Sequence, residues 1–192
     1  MSKAKHDRQD VIQKATDLFW EKGFHATSMR NIQQAIDMRP GSIYASFGSK
    51  EGLFKETLQH YADTSLIRLN TSVRAASSPI EGLKLFIKDV VIGCRASAPS
   101  GMCMLVKTLS ELTPENADLL AEAQRLLGTI ETAFTALLVQ AQVRGELDRS
   151  KDPERIARYL QVQLMGLRAY ARANESDDQI RVLIEDVFDH LR

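Results

Sequence analysis

The sequence predicts an all-α protein of about nine helices, on three observations. Apolar residues recur every three or four positions, as in Val11, Ile12, Ala15, Leu18 and Phe19. Stop and start signals punctuate this periodicity: Gly23, Gly48 and Gly145 stand where helices should end, while Pro40, Pro114 and Pro153 stand where first turns should begin. No stretch alternates apolar and polar residues between hairpin turns, as a half-buried strand requires.

The elements follow in order. The first helix carries the stripe from Val11 to Phe19 and stops at Gly23. Thr27 or Ser28 caps a short second helix that holds Met29, Ile32 and Ala35 and ends near Asp37. Pro40 opens the third, where the amide it lacks would be an orphan anyway. Ile43 and Phe47 lie one turn apart on its inner side. Ser49 caps the fourth helix, which runs through Leu53, Phe54, Leu58 and Tyr61 to the region of Arg74. "SSPIEG" starts a fifth, from Ile80 toward Cys94, apolar on several sides and therefore central. "ASAPSG" breaks it, and "MCMLVKTLSEL" forms a sixth. Thr113-Pro114 opens a long seventh, in which Leu120, Leu127, Phe134 and Ala141 alternate with Ala123, Ile130 and Leu137 until Gly145. "SKDPE" starts the eighth, to the region of Asn174, and "SDDQ" the ninth.

Composition bounds the class. A chain of 192 residues, 44% apolar and 26% charged, can bury a core in one compact unit or two small ones. No run of about 18 apolar residues occurs, and the start "MSKAKHDRQD" lacks an apolar leader core, so no membrane partner is expected and the cytoplasm is the expected compartment. Cys94 and Cys103 are too few for a disulfide framework, and His6, His25, His60 and His190 form no zinc spacing with them, so neither metal nor cofactor is expected. The formal net charge of zero conceals an asymmetry: the first 55 residues hold nine Lys or Arg against six Asp or Glu, a balance of +3. Such charge serves a polyanionic partner only when the fold gathers it on one face.

Two short helices joined by a tight turn, Ser28 to Ile36 and Pro40 to Phe47, form a helix-turn-helix, whose second helix presents its N-terminal residues to bases in the major groove. Ile43 and Phe47 hold that helix on the core, which leaves Arg39, Gly41, Ser42 and Tyr44 to face DNA. Gly41 lets backbone approach closely, Ser42 can bond base or phosphate, and the Tyr44 hydroxyl can reach phosphate. Lys50 stands in the first turn of the fourth helix, where free amides and the dipole attract phosphate. The alternative is that these are simply three small core helices, with Tyr44 half-buried.

The stretch "GFHATSMRNIQQAIDMRPGSIYASFGSKEGLF", Gly23 to Phe54, resembles the DNA-binding segment of TetR-family transcriptional repressors. The resemblance implies an N-terminal helix-turn-helix domain, residues 1–50, and a helical ligand-binding and dimerisation domain, residues 51–192. It also implies a homodimer on a palindromic operator, released by a small ligand among helices four to seven. By position, Thr27, Ser28, Arg30, Arg39, Ser42, Tyr44 and Lys50 become DNA contacts. Ser46 stands where members commonly place Tyr or His, so one phosphate contact is expected to be shorter or missing. Candidate effector residues on the ligand-bearing helices are Tyr61, Phe86, Met102, Cys103, Met104 and Phe134.

The last helices also carry apolar surface beyond their own needs. Val162, Gly166 and Ala169 make a small-residue stripe that permits close approach, and Leu183 and Val187 need burial, so both helices are expected to pair with their copies in a four-helix bundle. "GMCMLVKTLSEL" resembles a stretch of the NemR-like subgroup of the family, although Met102 interrupts its usual Gly-Cys pair. If Ser100 caps the sixth helix, Cys103 falls in its first turn, where a thiolate is stabilised, and an oxidant or electrophile that modifies it is then expected, as an alternative to a bound small molecule, to release the operator. A buried, inert cysteine is the competing reading. An enzyme with a cysteine nucleophile and a helical adaptor are the rival functions, and salt-sensitive retention on DNA separates both from a regulator.

Overall fold

A computed structural model describes residues 8–191, and among them nine α-helices and no strand. These are α1 (Arg8–Lys22), α2 (Met29–Ile36), α3 (Pro40–Phe47), α4 (Lys50–Ala75), α5 (Pro79–Lys88), α6 (Met104–Glu111), α7 (Ala117–Val143), α8 (Pro153–Ala173) and α9 (Asp177–Asp189). The polar start on which the expectation of no leader rests lies largely outside the described residues.

The local signals act as their chemistry dictates. Ser28 and Asn31 close a reciprocal cap on α2: Ser28 Oγ accepts the Asn31 amide at 3.1 Å, and Asn31 Oδ1 accepts the Ser28 amide at 3.0 Å. Ser49, Ser78, Asp152 and Ser176 accept first-turn amides of α4, α5, α8 and α9. Gly48 follows α3 at φ 74°, a conformation that glycine adopts without strain.

Two expected helices differ in detail. The fifth is regular only to Lys88 and continues as a π-helical turn, Asp89–Gly93, in which the Cys94 amide donates to the carbonyl of Asp89, five residues back, at 2.8 Å. The β-branched run Val90-Val91-Ile92 there weakens the regular ladder. The sixth helix begins at Met104, so Cys103 stands just ahead of it and outside its first turn. Ser100 instead turns the loop, its Oγ accepting the Met102 amide at 3.3 Å.

The chain forms two compact units: one of the residues up to Asp63 with Met104–Leu126, the other of Thr64–Cys103 with the residues from Leu127 on. In the first, Phe19 meets Phe54 edge-on at 4.9 Å and Phe24 lies 5.0 Å from Phe54. Around this aromatic cluster Ala15, Ile32, Ile43, Leu58 and Leu105 are fully buried. In the second, Leu83, Phe134, Leu138, Leu160, Ile180 and Ile184 form the core. Gly82 lets α5 approach α4 closely there, since a Cβ on it would stand 2.7 Å from Val73 Cα. By length and composition the segment Pro114–Val143 would pass for a membrane span, with a mean hydropathy of 1.3 over its richest window. Leu126, Phe134, Leu138 and Ala141, buried in protein, supply part of that apolar content.

Candidate nucleic-acid interface

Every side chain of α3 other than its two anchors is open to solvent. Ile43 is fully buried and Phe47 nearly so, whereas Pro40, Gly41, Ser42, Tyr44, Ala45 and Ser46 are exposed, Tyr44 at 50%. A helix of eight residues cannot hold itself together in water, so those two anchors, with Pro40 at its start and Gly48 at its end, keep it formed. Gly52 sets the angle at which α4 leaves: a Cβ there would collide with the carbonyl oxygen of Phe47. Gly41 has no such internal reason, since nothing in the protein lies within 4 Å of its missing Cβ.

The expected contact residues fall into three groups. Arg30, Arg39, Gly41, Ser42 and Tyr44 are exposed on α2, the turn and α3. Ser28 is exposed too, but its hydroxyl also works as the cap of α2. Lys50, the first residue of α4, is half-buried, and its ammonium lies 4.3 Å from the centre of the Phe24 ring. Burial there pushes its pKa down, against the pull of Glu51 and Glu111. Thr27 is a correction: it is fully buried, and its hydroxyl donates to the Gly23 carbonyl at 2.6 Å, so its side chain braces the turn and does not face DNA.

Two residues escaped the sequence reading. Gln33 and Gln34 line, with Arg30, Asp37 and Arg39, an open depression between α2 and α3. Their signal was present, because Gln34 lies opposite the buried Ile32 and Ile36 and Gln33 flanks that stripe. Glutamine is also a base-reading side chain.

The unit holding this surface is braced from α6. Lys107 Nζ donates to the carbonyls of Trp20 and Glu21 at 2.7 and 3.0 Å, the end of α1, where a cation also meets the negative end of the helix dipole. Arg8 at the other end of α1 lies over the Phe47 ring at 4.8 Å and forks onto Glu56 with two contacts of 2.7 Å.

The expected effector residues are divided between the two units. Tyr61 and Met104 are buried in the first unit, Tyr61 against Trp20 at 5.0 Å. Phe86 and Phe134 are buried in the second, edge-on at 6.0 Å, and Met102 and Cys103 are half-exposed. Of the expected pairing residues, Val162 (63%), Gly166, Ala169 and Leu183 (37%) are exposed. Val187 is a correction: it is 6% exposed, buried within its own chain like Ile184 and Phe188.

The family described as bacterial regulatory proteins, tetR family, matches residues 11–57, and the tetracyclin repressor-like C-terminal domain matches residues 79–187. The HTH-type transcriptional repressor ComR of Escherichia coli (strain K12) is 26% identical over 176 residues, 91% of this chain and 83% of ComR. The repressor BdcR of the same strain is 25% identical over 172 residues, 90% of this chain and 82% of BdcR. Among solved structures, a cysteine mutant of the TetR family transcriptional regulator CifR complexed with 26 bp double-strand operator DNA aligns over 100% of both chains, with a TM-score of 0.87 and 26% identity. A regulator from Cytophaga hutchinsonii, at a TM-score of 0.85 and 21% identity, shares the fold. With a family match at each end of the chain and the helix-turn-helix where the first one falls, the chain belongs to the TetR family of bacterial regulatory proteins.

Proposed function

We propose that this regulator is a repressor that binds a palindromic operator in double-stranded DNA as a homodimer, in the cytoplasm, and leaves it when a small molecule binds. Residues 1–50 carry the DNA contacts, and residues 51–192 carry the effector site and the pairing surface. The observation that carries this reading is α3, a short helix pinned by Ile43 and Phe47 with its remaining side chains in water. A core helix would hide more of itself, whereas a helix that reads base edges must show them. Arg39 and Ser42 lie nearest the end that enters the groove, and Tyr44 with Lys50 positions the protein on phosphate. The complex of the CifR mutant with operator DNA supports the same docking, and the exposed Val162, Gly166, Ala169 and Leu183 support pairing through α8 and α9.

The test is selection of bound DNA from a random pool with the full chain. The expected product is an inverted repeat whose two halves lie one helical turn or so apart, bound with a steep salt dependence. A pool that converges on no sequence, or retention insensitive to salt, would overturn the reading.

A further inference from the structure

The second compact unit contains a cavity of about 200 Å³ between the π-helical turn after α5, the loop that follows it, and the last turns of α8. None of the six expected effector residues lines it. Its wall carries three arginines, Arg95, Arg168 and Arg172, and neither an Asp nor a Glu. The rest is apolar or small: Val90, Val91, Ala98 and Ala171. Asp177 already pairs with Arg95 at 3.1 Å, so Arg168 and Arg172 bring the remaining positive charge to this small, largely apolar space.

Two of the three are held in place. Arg95 donates to Asp177 Oδ1 at 3.1 Å and to the Asn174 carbonyl at 2.6 Å. Arg168 is 7% exposed, and its Nε and Nη2 donate to the carbonyls of Gly101 and Met102 at 3.2 and 3.3 Å. These bonds fix the loop against α8 and leave the cavity with a rigid cationic side. Arg172, exposed at the rim, packs its stem 3.9 Å from where a Cβ on Gly101 would stand.

The geometry points to a binding site for a small organic carboxylate, its anionic end forked by Arg172 and Arg168 and its short apolar end against Val90, Val91 and Ala171. A guanidinium matches the two oxygens of a carboxylate in one plane. The volume lies below the roughly 300–1,000 Å³ of typical ligand pockets, which limits the site to a small molecule. The proposal rests on the effector reading only for the release of DNA that binding brings about.

Calorimetric titration of the full chain without DNA tests the site, with hexanoate, hexanol and inorganic phosphate as probes. Hexanoate should bind, and the other two should bind about tenfold more weakly or not at all. Arg172→Gln, at an exposed position, should weaken hexanoate about tenfold while leaving the unfolding midpoint unchanged. Cys94 also lines the cavity, so in a Cys103→Ser protein hexanoate should slow thiol labelling. Hexanol binding as well as hexanoate, phosphate binding as well, no effect of Arg172→Gln, or unprotected Cys94 would each overturn the proposal. Operator release is then measured separately: hexanoate that binds in the cavity without releasing DNA leaves the site standing and sinks the effector reading.

Discussion

The Glu111 carboxylate accepts the backbone amide of His25 at 2.6 Å, 86 residues away in sequence, and that of Phe24 at 3.0 Å. The last residue of α6 thereby closes the loop between α1 and α2. Gly23 makes room for it, since a Cβ there would collide with that carboxylate. Glu111→Ala leaves two amides without their charged acceptor and should cost about 1.5–3 kcal/mol. Hydrogen exchange at Phe24 and His25 reports it directly: protection lost at these amides and kept at Ile32 is the expected outcome, and unchanged protection at both would refute the clamp.

Gly41→Ala separates stability from recognition. Nothing in the protein meets the added methyl, and alanine is the better helix former, so the unfolding free energy should rise by about 0.5–1 kcal/mol. On the proposed docking the methyl stands where backbone approaches DNA, so operator affinity should fall. A variant that is more stable and binds equally well would remove Gly41 from the interface.

Tyr44→Phe takes away a hydroxyl from a half-exposed ring and should leave stability unchanged. If that hydroxyl holds a phosphate, affinity should drop about equally on operator and on unrelated DNA, by about 0.5–1.5 kcal/mol. Arg39→Ala should instead weaken the operator more than unrelated DNA. Competition binding on both DNAs checks the contrast.

Gly166→Trp tests the pairing surface. The position is exposed, with open space around its missing Cβ in the subunit, so the monomer should fold. The small-residue seam on α8 should not close over an indole, and light scattering at micromolar concentration should report half the mass of the unsubstituted protein. A variant that remains a dimer would move the interface elsewhere.

Glu185 gives a pH dependence. Hydrogen bonds from Lys84 and then Lys88, the second at 2.7 Å, hold its carboxyl below the usual carboxylate range and tie α9 to α5. Its folded pKa lies below the unfolded value near 4.3, so the contribution is present at neutral pH and fades as pH falls through and below that value. The carboxylate is 42% exposed, and solvent screening keeps the contribution of each pair below about 1 kcal/mol. Glu185→Gln should therefore lower the urea midpoint slightly at pH 7, and the difference from the unsubstituted protein should shrink as the pH is lowered into the acid range.

Much of this architecture was legible in the sequence because helix ends are written in local chemistry. Ser28, Pro40, Gly48, Ser49, Asp152 and Ser176 each act within a turn of where they stand, and the helix-turn-helix is made almost wholly of such signals. The misreadings concern facing. Thr27 shows the capping chemistry that Ser28 shows, and only the fold reveals that its hydroxyl turns back to Gly23. Val187 and Leu183 are both apolar and one turn apart on α9, yet Val187 faces inward and Leu183 outward. The brace by Lys107 and Glu111 joins residues more than 80 apart and leaves no local trace. The cavity arginines were invisible for the same reason: Arg95 and Arg168 meet only once the chain has folded.

The two anchors of α3 make the recognition helix transplantable. Ile43 and Phe47 face the core, and Gly48 and Gly52 fix the corner behind them, so these four positions specify how the helix is mounted and, on the proposed docking, the exposed ones specify what it reads. A chimera that keeps the four and takes Arg39, Gly41, Ser42, Tyr44, Ala45 and Ser46 from another repressor should retain its fold while acquiring the donor's operator. In such a protein, new DNA targets arise by substitution at exposed positions without repacking the core.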